Sequence, residues 1–149
     1  MEPQGAVSTS LTTTGSLIAV GEIDSLRTPA TALETNTVGL VFVRPADPLN
    51  YSALLLGEGT LIDASPPDFP AWTSMLVTTS PAVPECASAP VAALVLQGTP
   101  GMGTRIVVNG ASLLLNGTVL VRANREAGVT LFTGLAGVSS VQTFGSEQT

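Results

Sequence analysis

A chain of 149 residues suits one domain, and a domain of that size withdraws about 70% of its unfolded surface from water, so its core needs no disulfide staple. The single cysteine, Cys86, cannot close an internal bridge; with no histidine and no lysine, the chain also lacks the commonest general base, the commonest metal ligand and the amine of Schiff-base chemistry. Five arginines against eleven acidic residues give a net charge of −6 without any basic cluster, which excludes the electrostatic footprint of a nucleic-acid binder.

Charged residues make up 11% of the chain, where a soluble domain ordinarily carries about 25%. A surface this poor in charge is either coated with hydroxyl groups or covered by a partner. No apolar run approaches the roughly 18 to 20 residues of a membrane helix, and the start of the chain carries no positive charge ahead of an apolar core. Neither a membrane span nor a signal peptide is therefore expected.

In chain order, residues 1–5 read as a short polar lead into a single all-β domain. Val7 to Thr13 alternates apolar residues with Ser and Thr, the pattern of a half-buried strand, and Ser16 to Ile23 predicts a second strand with Gly21 as a bulge. Asp24 to Asn36 holds Pro29 and no sustained period, which predicts a loop with room for one helical turn around Ala30 to Glu34. Thr37 to Val43 is strongly β-branched and is stopped at Arg44-Pro45. After a proline-containing turn, Tyr51 to Leu56 and Thr60 to Asp63 predict two strands, with Gly57-Glu58-Gly59 as the hairpin between them.

Ala64 to Pro70 contains three prolines and reads as an extended linker of the kind that crosses between sheets or runs along a surface. Ala71 to Thr79 resumes the alternation, with Trp72, Ser74, Leu76 and Thr78 on one side and Thr73, Met75 and Val77 on the other; Trp72 is the expected core anchor. Ser80 to Pro90 forms a second proline-rich connection, Val91 to Gln97 a further strand, and Gly98 to Gly103 an exposed loop or hairpin.

From Thr104 to Gly134 three runs of branched aliphatic residues are cut by turn signals, predicting an antiparallel meander. Asn109-Gly110 and Asn116-Gly117 both suit the positive φ of tight hairpin turns, and Asn124 to Gly128 suits a longer loop closed by glycine. Leu135 to Phe144 supplies a last strand before the polar tail 145–149. Nine to ten strands without a helix predict a β-sandwich, a jelly roll or a partly closed barrel, ending in the meander.

No motif brings catalytic groups together. Asp63 with Asp68, and Glu22 with Asp24, are the available carboxylate pairs, but nothing in their spacing sets two carboxylates across a cleft as glycoside hydrolysis requires. Leu61 to Ser65 lacks the glycine of an aspartic-protease turn, and Gly101-Met102-Gly103 precedes a strand rather than a phosphate-binding helix. No catalytic residue, metal site or cofactor is expected, and the chain reads as a non-enzyme.

The meander carries the information about assembly. In Thr118 to Ala123 the set Val119, Val121 and Ala123 faces inward, leaving Leu120 and Arg122 opposite, while Leu113 to Leu115 is apolar on both faces. Strands apolar on both faces lie between layers, and the second layer here is either a neighbouring subunit or the chain's own connections. Leu113, Leu115, Leu120 and Arg122 are the candidate interface residues.

In composition and patterning, over most of its length, the chain resembles the small accessory proteins of virus particles, especially bacteriophage capsid decoration and cement proteins. That resemblance implies a β-rich structural protein of the virion, often a homotrimer, made in the host cytoplasm and seated on the capsid surface, where it bridges capsid subunits. Its contacts would come from Met1 to Thr9 or from the two proline-rich linkers. Two other functions fit the strand count: a jelly-roll coat subunit or its projecting domain, and a carbohydrate-binding or adhesin-like module with Trp72 and Tyr51 as stacking platforms.

Overall fold

The structure is a computed structural model that describes residues 23–30, 34, 39–45, 47–82 and 91–143. The strands expected at Val7 to Thr13 and through most of Ser16 to Ile23 lie outside the described residues, as do Cys86, Glu22, both polar termini and most of Ser80 to Pro90.

Eleven strands are described, and no helix accompanies them: β1 (Ser25–Thr28), β2 (Leu40–Val43), β3 (Tyr51–Leu56), β4 (Gly59–Asp63), β5 (Ser74–Thr79), β6 (Ala93–Gly98), β7 (Thr104–Val108), β8 (Ala111–Leu115), β9 (Gly117–Asn124), β10 (Val129–Gly137) and β11 (Ser140–Thr143). They form a six-stranded sheet of order β1-β4-β5-β7-β8-β11 and a five-stranded sheet of order β10-β9-β6-β3-β2. The architecture is a β-sandwich of two open sheets; the barrel alternative is not realised, because neither sheet returns to its first strand.

Inward-facing side chains of the two sheets meet in one core. Leu61, Met75, Val77, Ile106, Val108 and Leu113 come from the larger sheet, and Ala53, Leu55, Leu94, Leu96, Val119 and Val121 from the smaller. Period-two alternation places these residues inside while their neighbours face out. A hydroxyl joins the layers through the apolar interior: Thr79 Oγ1 on β5 accepts the Ala123 N–H of β9 at 2.9 Å.

Three connections differ from the sequence expectation. Gly57-Glu58 is no hairpin: β3 pairs with β2 and β6 while β4 pairs with β1 and β5, so these residues carry the chain from one sheet to the other. The proline-rich 64–70 segment takes the second of its two expected courses, running exposed along the surface between the antiparallel neighbours β4 and β5 of one sheet. Asp24 to Asn36, expected as a loop, contains β1 at the sheet edge, where Leu26 and Thr28 turn inward.

A further difference lies at Asn116-Gly117. Asn109-Gly110 is a two-residue hairpin, with φ of 50° and 82° and Val108 opposite Ala111. Asn124 also faces Val129 across the loop expected to end at Gly128. Between these turns the chain does not reverse. β8 and β9 are two arms of one strand that bends at Asn116 and passes from the larger sheet to the smaller; β10 and β11 are the arms of its neighbour, bent at the same level.

Leu114 faces Ser140 and Gly117 faces Gly137, so the register is unbroken across the bend; Val138 N–H donates to Asn116 O at the corner itself. The meander is thus present, folded over the edge of the sandwich. Gly117 is required there, because a Cβ on it would sit 2.1 Å from Ala136 O.

Candidate interaction surface

The outward faces of the two sheets differ in chemistry. On the larger sheet, Ser25, Thr60, Ser74, Thr78, Ser112 and Ser140 take outward positions, with Arg27 and Arg105 among them and Ile62, Leu76, Val107 and Leu114 interspersed. Arg105 lies over Ser112, with its Nη1 donating to Ser112 Oγ at 3.1 Å. This face bears the hydroxyl coat that the low charge suggested.

The smaller sheet turns an apolar face outward. Phe42 faces Leu54, Leu54 faces Val95, Val95 faces Leu120 and Leu120 faces Thr133, so one row of directly opposed residues crosses all five strands. Leu40 opposite Leu56 and Leu131 opposite Arg122 widen the row at its two ends. Phe42 is 61% exposed, Leu131 58% and Leu40 55%. Arg122 is the one charged side chain among the outward-facing strand positions described on this sheet.

Two of the four residues expected at an interface belong to this face. Leu120 is half-buried between its neighbours and Arg122 is exposed. Leu113 and Leu115 do not belong to it: both are completely buried, because β8 puts its odd-numbered residues into the core and only Leu114 of that run faces out. The all-apolar run predicted burial on two sides but not the phase of the strand. Phe42, Leu54, Val95 and Leu131 escaped the sequence reading because they come from separate strands whose adjacency only the topology supplies.

Trp72 is 1% exposed, in the core, although its neighbours Ser74 and Leu76 in the expected alternation face outward. A positive φ of 68° at Trp72 breaks the alternation before β5 begins and swings the indole inward. Its carbonyl accepts the buried Tyr51 hydroxyl at 2.6 Å, and burial, reinforced by the nearby Asp63 carboxylate, pushes the Tyr51 hydroxyl above its ordinary titration range.

Asp63 is committed to the same loop: its Oδ1 accepts Ser65 N–H at 3.0 Å, Ser65 Oγ–H at 2.6 Å and Trp72 N–H at 3.1 Å. That carboxylate fixes the path from β4 to β5. No group of three or more Cys, Asp or Glu with metal-binding proximity occurs among the described residues.

A shallow groove of about 470 Å³ at one end of the sandwich is lined by Arg27, Glu58, Thr60, Thr78, Arg125 and Glu126, among others. It mixes two cations with two carboxylates and favours no charge of ligand. Comparison with protein-family models, with curated proteins and with solved structures finds no match for this chain.

Proposed function

We propose that the protein is a structural component of an assembled protein shell, of the kind that capsid decoration and cement proteins represent, and that it docks through the outward face of its five-stranded sheet. The supporting observation is a difference between its outer faces: one sets hydroxyl groups and two arginines among its apolar residues, while the other carries the unbroken row Phe42, Leu54, Val95 and Leu120 with one cation beside it. A large exposed apolar patch stabilises nothing in an isolated domain and marks a surface that another protein covers. The mechanism is mechanical. Burial of the row at a junction of shell subunits adds binding area there and opposes their separation.

The carbohydrate-binding alternative loses its stacking platforms, since Trp72 and Tyr51 are both buried and offer no ring face to a sugar. The coat-subunit alternative shares the sandwich but draws no specific support from this face.

The test is co-sedimentation of the purified protein with assembled shells from the same source, followed by electron microscopy. Saturable binding at regularly repeated positions, abolished by Leu120→Glu without change in the β circular-dichroism signal, is the expected result. A folded wild-type protein that leaves the shells bare, or a Leu120→Glu variant that decorates them equally well, overturns the proposal.

A further inference from the structure

Among the described residues, the outermost strand is one bent segment, 129–143, whose β10 arm ends the smaller sheet and whose β11 arm ends the larger. Of the devices that blunt an exposed edge it has a β-bulge at Leu135 and a short β11 arm, but neither a charge nor a proline. From Ala127 to Gly145 the sequence contains no charged residue and no proline. All of β11 and the last five residues of β10 are exposed, and Val138 at the bend is 80% exposed. Val141 stands opposite the fully buried Leu113 and is nevertheless exposed, so the core is open along this edge.

We infer that this edge is a self-association site, where residues 133–143 pair antiparallel with the same residues of a second copy, about a two-fold axis at Val138. The bend selects the occupant. A straight peptide can add to the β10 arm or to the β11 arm; only a strand that itself turns the corner can follow both, and β8–β9 already shows one such bent strand pairing antiparallel with this one. Charge selects it again: self-pairing of an uncharged segment sets no like charges opposite each other, and apolar residues such as Leu135, Val138 and Val141 meet their own kind.

Antiparallel self-pairing is two-fold and closes as a dimer. With the bends aligned, β10 of one copy lies beside β11 of the other. Each layer of the dimer then runs from the five-stranded sheet of one protomer into the six-stranded sheet of its partner.

The test uses the full chain, by light scattering across a concentration series together with hydrogen exchange. The expected wild-type mass is twice that of the chain, and amides in 133–143 exchange more slowly as concentration rises. Leu135→Lys/Val138→Lys places charges on the edge and is expected to return the mass to that of one chain with the β signal intact. Leu120→Glu, on the face rather than the edge, is expected to keep the dimer mass, which separates this site from the proposed shell contact. A monomeric wild type, a closed trimer, or a charged variant that remains dimeric overturns the inference. If the charged variant does not fold, the wild-type exchange decides: concentration-independent exchange in 133–143 overturns it.

Discussion

Asn109 does more than shape a turn. Its Oδ1 accepts Val77 N–H at 2.7 Å, and its Nδ2 donates to Val77 O and to Thr130 Oγ1, each at 3.0 Å. The parallel pairing of β5 with β7 is registered at Ser74 opposite Val107 and Met75 opposite Val108, and Asn109 N–H donates to Met75 O beyond it. The amide side chain then continues the ladder where the backbone turns away, and its bond to Thr130 ties the turn to the opposite sheet. Asn109→Gly keeps the positive φ but leaves both polar groups of the buried Val77 backbone unpaired. At about 1–3 kcal/mol for each stranded group, and with some water reaching the turn, the expected loss is about 2–4 kcal/mol. Asn109→Ala adds about 1–2 kcal/mol for an alanine held in the left-handed region.

Equilibrium urea denaturation reads both. With a slope of about 2 kcal/mol per molar urea, Asn109→Gly lowers the midpoint by about 1–2 M and Asn109→Ala lowers it further. Asn109→Asp keeps the acceptor for Val77 N–H but aims an oxygen at Val77 O, and is expected to fall below Asn109→Gly. A glycine variant within about 0.5 kcal/mol of wild type would refute the ladder role, since that is the scatter of indifferent surface changes. Equal stabilities for the alanine and glycine variants would refute the turn geometry.

Tyr51 is the chain's one tyrosine, so an ultraviolet titration reports it alone. Its hydroxyl titrates above the ordinary range in the folded state, so folding favours the neutral form; stability is intact below about pH 10, where the unfolded chain begins to ionise, and falls as pH rises beyond it. Tyr51→Phe is expected to remove that alkaline loss while lowering neutral-pH stability by about 1 kcal/mol for the missing bond to Trp72 O. Gly117→Ala forces a methyl group into Ala136 O and is expected to unpair the corner, seen as fast amide exchange at Gly137 and Val138. Leu113→Ala, in the closed core, is expected to cost about 2–5 kcal/mol in denaturant melts, whereas Leu120→Ala on the outer face costs less than about 1 kcal/mol.

The all-β character and several elements were legible from pattern alone. Tyr51–Leu56 has the bounds expected from the sequence, and Asn109-Gly110 forms the turn its dipeptide implies. Asn116-Gly117 shows where such a signal is degenerate: the same dipeptide serves a reversal when both residues adopt positive φ and a bend when only the glycine does. Ser25–Thr28 was missed because a four-residue edge strand turns just two side chains inward, and one of them, Thr28, is polar and bonded through Oγ1 to Gly57 O. At the interaction surface, Leu120 and Arg122 could be read from β9 by itself. The row that joins Leu120 to Val95, Leu54 and Phe42 depends on which strands lie side by side, a long-range choice that no local period records.

The corner at Asn116 and Val138 acts as the spine of a book whose covers are the two sheets. The same two strands are ruled across both covers, and the one-residue shift of their register falls within the β10 arm at Leu135, so Gly137 opposite Gly117 and Ser140 opposite Leu114 keep one register through the corner. Force applied to either cover reaches the other through covalent backbone as well as through side-chain packing.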